Sequence, residues 1–359
     1  MKRVHNFSAG PATLPLEVLE QAQEELTEYQ DTGRSIMELS HRSAHYEEID
    51  KQAKDRLRSL LGLGDKFEIM FLQGGASSQF MMAPYNFLSK DQTADYIDTG
   101  RWSDKAIKEA KIFGNVHVPF SSSEGNYDRV PTQEELNFSD NPRYVHFTSN
   151  NTVAGTQFPT EPETNGVPLV CDASSDFLSR PIDVDKYGII YAGAQKNVGP
   201  AGVTVVIIRK DFLEQADTEN VPTILRYSTH VEKIFNTPPT FNVYMVNLVL
   251  KWIEDKGGLS WFKSFNEEKA QKVYDEIDAD DFYRGAVEKE SRSLMNATFR
   301  LPTEELEARF LEEAVEHDLY SLKGHRSVGG IRASIYNACS MGSVDALVDF
   351  MSDFRKRNG

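Results

Sequence analysis

The sequence predicts an α/β fold: a large domain on a mostly parallel seven-stranded sheet, plus a smaller α/β C-terminal domain. Three observations carry this expectation. Seven short apolar runs recur, over 67–72, 95–98, 116–120, 144–148, 168–171, 188–191 and 203–208. Helical patterns lie between several of them, and apolar strands alternating with helices have both sheet faces covered. The last two runs are joined by a Gly/Pro loop too short for a crossover helix, which leaves room for at least one antiparallel pair.

Taken in order, Pro15 opens a helical pattern with Leu16, Leu19, Ala22, Leu26 and Tyr29 at spacings of three and four. A second helix carries Tyr46, Ile49, Ala53, Leu57, Leu60 and Leu61, and Gly62 supplies its stop. Ser103 is expected to cap a helix over 103–113, with Gly114 ending it. The stretch Asn236-Thr-Pro-Pro-Thr240 breaks the pattern before a long helix containing Tyr244, Leu248, Trp252 and Ile253. Beyond Gly257-Gly258 come a helix, a strand over 295–301, and helices over 303–317 and 344–357. We read an N-terminal arm over 1–15, a large domain over 16–256 and a small domain over 257–359.

Composition narrows the function. A chain of 359 residues holds about two domains of ~150 residues each. Thirty-nine Lys+Arg against 55 Asp+Glu leave a net charge of −16, which repels polyanions and disfavours a general nucleic-acid or anionic-membrane surface. Two cysteines, Cys171 and Cys339, exclude a disulfide framework and fit a reducing compartment. No run approaches the ~18 apolar residues of a membrane span. Lys2-Arg3 is followed by Asn6, Ser8, Pro11 and Glu17, without the apolar segment of a signal peptide. The expectation is a cytoplasmic protein. His41 and His45 stand four apart on a possible helix, but no H-E-x-x-H accompanies them and no metal is expected. G-x-x-x-x-G-K-[ST] and G-x-G-x-x-G are both missing.

Lys196 is the most suggestive residue. It lies in Tyr191-Ala-Gly-Ala-Gln-Lys-Asn-Val-Gly-Pro-Ala-Gly202, between two apolar strands. Desolvation there disfavours the ammonium form and makes a neutral, nucleophilic amine available, as Schiff-base lysines require. The plainer reading is a lysine reaching for water from a strand end. Asp172, at the end of Val167-Pro-Leu-Val-Cys-Asp, is either a loop acceptor or the partner of a pyridinium nitrogen. Gln73-Gly-Gly-Ala-Ser-Ser-Gln79 is either turn punctuation or a backbone cradle for a phosphate at a helix N-terminus. Trp102 is either core or a flat platform for an aromatic cofactor.

The constellation as a whole resembles a known family. Gly74-Gly-Ala-Ser, Gly100-Arg-Trp, Asn150-Asn-Thr-Val-Ala-Gly155, Asp172, Ala194-Gln-Lys-Asn and Phe235-Asn-Thr-Pro-Pro239 fall in the order seen in the class V aminotransferase group of fold-type I pyridoxal 5'-phosphate (PLP) enzymes. More narrowly, Asn6-Phe-Ser-Ala-Gly-Pro-Ala12, Ser40-His-Arg42, Ser179-Arg-Pro-Ile-Asp183 and the run Gly324–Asn337 make the chain similar to the phosphoserine aminotransferase family over nearly its whole length. The resemblance implies that Lys196 binds PLP covalently, Asp172 pairs with the pyridinium, Trp102 stacks on the ring, and Thr152 donates near the ring hydroxyl. It implies that Ala76, Ser77 and Gln195 cradle the cofactor phosphate, while Asn236 and Thr237 reach that phosphate from the other subunit of a homodimer. Where some members carry Gly-Arg, this chain has Ala76-Ser77, a change that backbone donors survive.

A phosphorylated amino acid needs two anion sites, and an acidic chain must build both locally. The dipeptides His41-Arg42 and His325-Arg326 resemble the family's phosphate clamp, the first supplied across the dimer interface, and Arg332 its bidentate α-carboxylate grip. Ser8 is a further candidate active-site contact. The implied reaction moves an amino group between L-glutamate and 3-phosphohydroxypyruvate, giving O-phospho-L-serine and 2-oxoglutarate in serine biosynthesis. The homologous keto acid of vitamin B6 synthesis, 3-hydroxy-2-oxo-4-phosphooxybutanoate, differs by one carbon, a small discrimination for a pocket. The rival readings are another class V enzyme, of the alanine–glyoxylate or cysteine desulfurase type, and a non-catalytic protein that binds a phosphorylated metabolite.

Overall fold

The computed structural model describes residues 3–359; Lys2, named above, lies outside the described residues. Helix α1 (Leu16–Glu25) starts directly after Pro15. It is shorter than its spacing predicts; beyond it the chain turns through positive φ at Gln30 and Asp31, and Tyr29 is buried edge-on against Tyr244 from outside the helix. Helix α2 (Ala44–Leu61) is capped by the Ser43 side chain, which accepts from Tyr46 N, and ends on left-handed Gly62 (φ 66°). His41 therefore lies in the turn before α2 and shares no helix with His45.

The sheet comprises β1 (Phe67–Leu72), β2 (Thr93–Tyr96), β3 (Asn115–His117), β4 (Val145–Thr148), β5 (Leu169–Asp172), β6 (Tyr187–Gly193) and β7 (Thr204–Arg209). Their spatial order is β1-β7-β6-β5-β4-β2-β3. Strand β7 runs antiparallel to β1 and β6, and the other pairs are parallel. The second run pairs two residues earlier than its apolar pattern indicates. Asp98 forms only an isolated bridge to Ser121, and its carboxylate accepts from Ser103 and Ser121.

Apolar residues are continuous along β7 because both faces are covered. Val206 and Ile208 pack with α3 (Gly75–Phe87) and α4 (Arg101–Ala110), through Phe80, Phe87, Ala106 and Ile107. Val205 and Ile207 point the other way, onto α2 and α5 (Thr240–Asp255), through Ile49, Leu57, Val246 and Leu250. Full burial of one such aliphatic side chain is worth ~1.5–3 kcal/mol. Helix α4 begins two residues before the expected cap. Gly100 occupies the cap, and Ser103 Oγ, inside the first turn, accepts from Thr99 N and Gly100 N.

The C-terminal part contains α6 (Gly258–Ile277), the antiparallel strands β8 (Arg284–Gly285), β9 (Asn296–Arg300) and β10 (Ile331–Ser334), and helices α7 (Glu304–Glu316) and α8 (Met341–Asn358). Its core gathers Phe299, Phe310, Leu347, Phe350 and Phe354. Phe7 of the arm is fully buried in that same core, and His5–Asn6 pair with Leu319–Tyr320.

Candidate active site

In open α/β sheets the functional crevice lies beyond the carboxyl ends of the parallel strands. Here that edge delivers β1 to the Gly74–Gly75 turn, β5 to Asp172 and β6 to the Ala194–Asn197 turn. Together they open on a cavity of about 310 Å³. Its lining includes Ala76, Ser77, Trp102, Thr152, Asp172, Gln195, Lys196, His325 and Arg332.

Two glycines let backbone elements approach. Gly74 has φ 96°, and a Cβ there would fall 2.6 Å from Ser78 Oγ. This left-handed cap starts α3, whose first turn includes Ala76 and Ser77 and leaves N–H groups without helical partners. Gly100 is extended, and a Cβ there would lie 2.1 Å from Asn151 Oδ1. Trp102 follows two residues later. Its indole carries the Lys105 ammonium 4.4 Å from a ring centroid and leaves a buried Nε1 with no hydrogen-bond partner among the described residues.

Asp172 is 3 % exposed, and its Oδ1 accepts from Ser174 N at 3.0 Å. Burial raises its pKa above the usual carboxylate range, against the Ser174 hydrogen bonding and the Lys196 charge, which lower it. Lys196 Nζ donates to Thr152 Oγ1 at 2.5 Å. Burial brings its pKa down to about 8; the Asp172 carboxylate opposes that fall and Arg332 deepens it. A half-buried amine of lowered pKa and a buried carboxylate thus face one cavity.

Arg332 and His325 also line the cavity. Arg332, on β10, donates to the Thr152 carbonyl at 3.3 Å and keeps a buried Nε without a partner among the described residues. Burial lowers the His325 pKa first, followed by the charges of Arg101, Arg332, Arg326 and Lys105. Sequence reasoning missed Arg101 and Lys105; their signal was a four-residue spacing on the helix that presents Trp102. It also missed Ser174 and Ser175, which line the cavity directly after Asp172.

The remaining predicted residues lie apart from this cavity within the chain. Ser8 does not line it, although Ala9 and Gly10 do. Exposed Arg42 and half-buried His41 precede α2, and exposed Arg326 follows His325. Asn236 Nδ2 donates to Gln73 Oε1 at 2.9 Å, and Gln73 Nε2 to the Thr237 carbonyl at 3.0 Å, so that segment rests beside the turn leading into α3.

The model of the aminotransferase class-V family matches residues 4–347. The chain belongs to that family. It is 54 % identical over 359 residues to the phosphoserine aminotransferase of Herpetosiphon aurantiacus, covering 99 % of each chain. It is 53 % identical to that of Niallia circulans, over 100 % of this chain and 99 % of the relative. Among solved structures, phosphoserine aminotransferase from Bacillus circulans subsp. alkalophilus superposes with a TM-score of 0.97, at 52 % identity and 100 % coverage of both chains. Alanine–glyoxylate aminotransferase from Nostoc sp. shares the fold, at 15 % identity and a TM-score of 0.80, covering 99 % of this chain and 96 % of that one. Within the family, the activity of this chain is phosphoserine amino transfer, a reaction that implies PLP.

Proposed function

We propose that the chain moves an amino group between L-glutamate and 3-phosphohydroxypyruvate at the cavity around Lys196, with PLP held covalently by that lysine. One observation carries this reading: the half-buried Lys196 amine and the buried Asp172 carboxylate open on the same cavity as the N-terminus of α3 and the Arg332 guanidinium. These residues fit the cofactor. Among the described residues, the unpartnered Trp102 Nε1 and the open cap of α3 are polar groups awaiting partners.

When bound, PLP supplies an electron sink for the pair left on Cα after its proton departs. Lys196 takes and returns that proton, a task suited to an amine with a pKa brought near the working pH. Asp172 holds a proton on the ring nitrogen. Trp102 stacks on the ring, Thr152 donates near the ring hydroxyl, and Ala76, Ser77 and Gln195 hold the cofactor phosphate. Arg332 grips the α-carboxylate, and His325 with Arg326 takes the phosphoryl group. His41, Arg42, Asn236 and Thr237 complete both anion sites from a second copy of the chain, and Ser8 contributes at the arm.

Exposed apolar side chains near these segments support the homodimer: Met37 is 60 % exposed, Ile234 41 % and Phe235 40 %. We divide the chain into an arm over 1–15, a large domain over 16–256 and a small domain over 257–359, with Phe7 of the arm buried in the small-domain core. No helix among the described residues is long and apolar enough to cross a membrane, which accords with a cytoplasmic enzyme. A desulfurase would need a mobile, reactive thiol; burial raises the pKa of Cys171 and takes that of Cys339 to about 11.

The test follows 2-oxoglutarate release from glutamate with 3-phosphohydroxypyruvate, and with its one-carbon homologue. Turnover that depends on the phosphoryl group supports the assignment. No turnover, or equal turnover with unphosphorylated hydroxypyruvate, overturns it.

A further inference from the structure

Lys269 lies outside the cavity, on α6, yet it is completely buried. Its Nζ donates to three backbone carbonyls, of Tyr336 at 2.7 Å, Ile335 at 2.9 Å and Cys339 at 3.2 Å, and sits 4.7 Å from the centroid of the Phe265 ring. A desolvated ammonium held by neutral carbonyls and a ring face is costly; a methionine would fill the same space without that cost. What the amine gains is a fixed shape for the turn that follows β10.

That turn joins the two halves of the site. Strand β10 carries Arg332. Past it, Tyr336 OH donates to the Ala9 carbonyl at 2.8 Å, and Ala9 lines the cavity. Asn337 N donates to Asn197 Oδ1 at 2.9 Å, one residue beyond Lys196. Asn337 Nδ2 donates to the Leu178 carbonyl at 2.9 Å, in the segment after Asp172. Asn266, one helical turn before Lys269, donates to Asn337 Oδ1 at 2.8 Å.

We infer that Lys269 is a positioning residue: by clamping the 335–339 turn it sets the placement of Arg332, which holds the substrate carboxylate, relative to Lys196, which moves the proton. The inference rests on the site proposed above. Misplacement of such a group by ~1 Å costs up to about a hundredfold in rate.

The test uses the holoenzyme and compares Lys269→Met with Asn197→Ala, which leaves the amine in place and removes the acceptor at the far end of the joint. For Lys269→Met we expect the KM for glutamate to rise about tenfold while kcat per correctly folded site changes less than about threefold, the signature of lost carboxylate positioning. In the cofactor-free protein, amide hydrogen exchange should accelerate over 331–339 while α7 keeps its protection. Asn197→Ala should raise the same KM, and the double variant should add little to Lys269→Met. Unchanged KM in a folded Lys269→Met enzyme overturns the inference. Should that variant not fold, an unchanged KM in Asn197→Ala does so. Absence of turnover in the unsubstituted enzyme would instead sink the proposed function; the exchange pattern reports the clamp without it.

Discussion

Lys196 and Thr152 stand 44 positions apart in the chain, yet Nζ donates to Oγ1 across 2.5 Å. That bond aims an amine that burial has brought to a pKa of about 8. Replacing Lys196 with alanine should therefore lower kcat by at least ~10²-fold, the range of a positioned acid–base group. Single-turnover formation of 2-oxoglutarate measures it, and borohydride fixation should no longer attach the cofactor to this position.

The same burial makes Lys196 a liability for folding. Its folded pKa, about 8, lies below the ordinary 10.5, so the unfolded chain binds the extra proton between those values. The penalty is full below pH 8 and fades as pH rises toward 10.5. Lys196→Met should stabilise the cofactor-free protein at pH 7 by on the order of 2–3 kcal/mol. Denaturant midpoints at pH 7 and pH 10 should show the advantage shrinking at the higher pH.

Asp172→Asn should separate chemistry from stability. The amide cannot hold a proton on a ring nitrogen, so kcat should fall by about 10²-fold or more. Burial already disfavours the carboxylate, so the cofactor-free variant should melt no lower than the original protein. Thermal scans paired with turnover give both readings from one preparation.

Gly100→Ala should act through space. A methyl 2.1 Å from Asn151 Oδ1 forces the turn before Trp102 to shift, at about 1–3 kcal/mol. Retention of the cofactor on dialysis should weaken more than the melting temperature indicates.

Arg332→Lys should raise the KM for glutamate about tenfold or more while changing kcat less. A lysine keeps the charge and loses the planar fork.

Strand and helix order was readable because β7 and its neighbours are apolar on both faces and α2, just ahead of the sheet, ends on Gly62. Ends were less readable: Tyr29 keeps helical spacing outside α1, and Ser103 looks like a cap from inside a helix. Lys196, Asp172 and Trp102 were found because strand ends and Gly-rich turns mark them. Arg101 and Lys105 were not, since charges spaced along a helix ordinarily face solvent. Lys269 gave no sign either, because a lysine among the polar positions of α6 reads as exposed until the turn it serves is placed over it.

The placement of β7 has a consequence for biosynthesis. Strand β1 leads into the turn that opens α3, and its sole sheet neighbour among the described residues is β7, well over a hundred residues later. A nascent chain emerging from the ribosome cannot seat β1 until Arg209 has cleared the exit tunnel. Coenzyme capture thus awaits synthesis of more than half the polypeptide, and truncated products should leave translation unable to retain it.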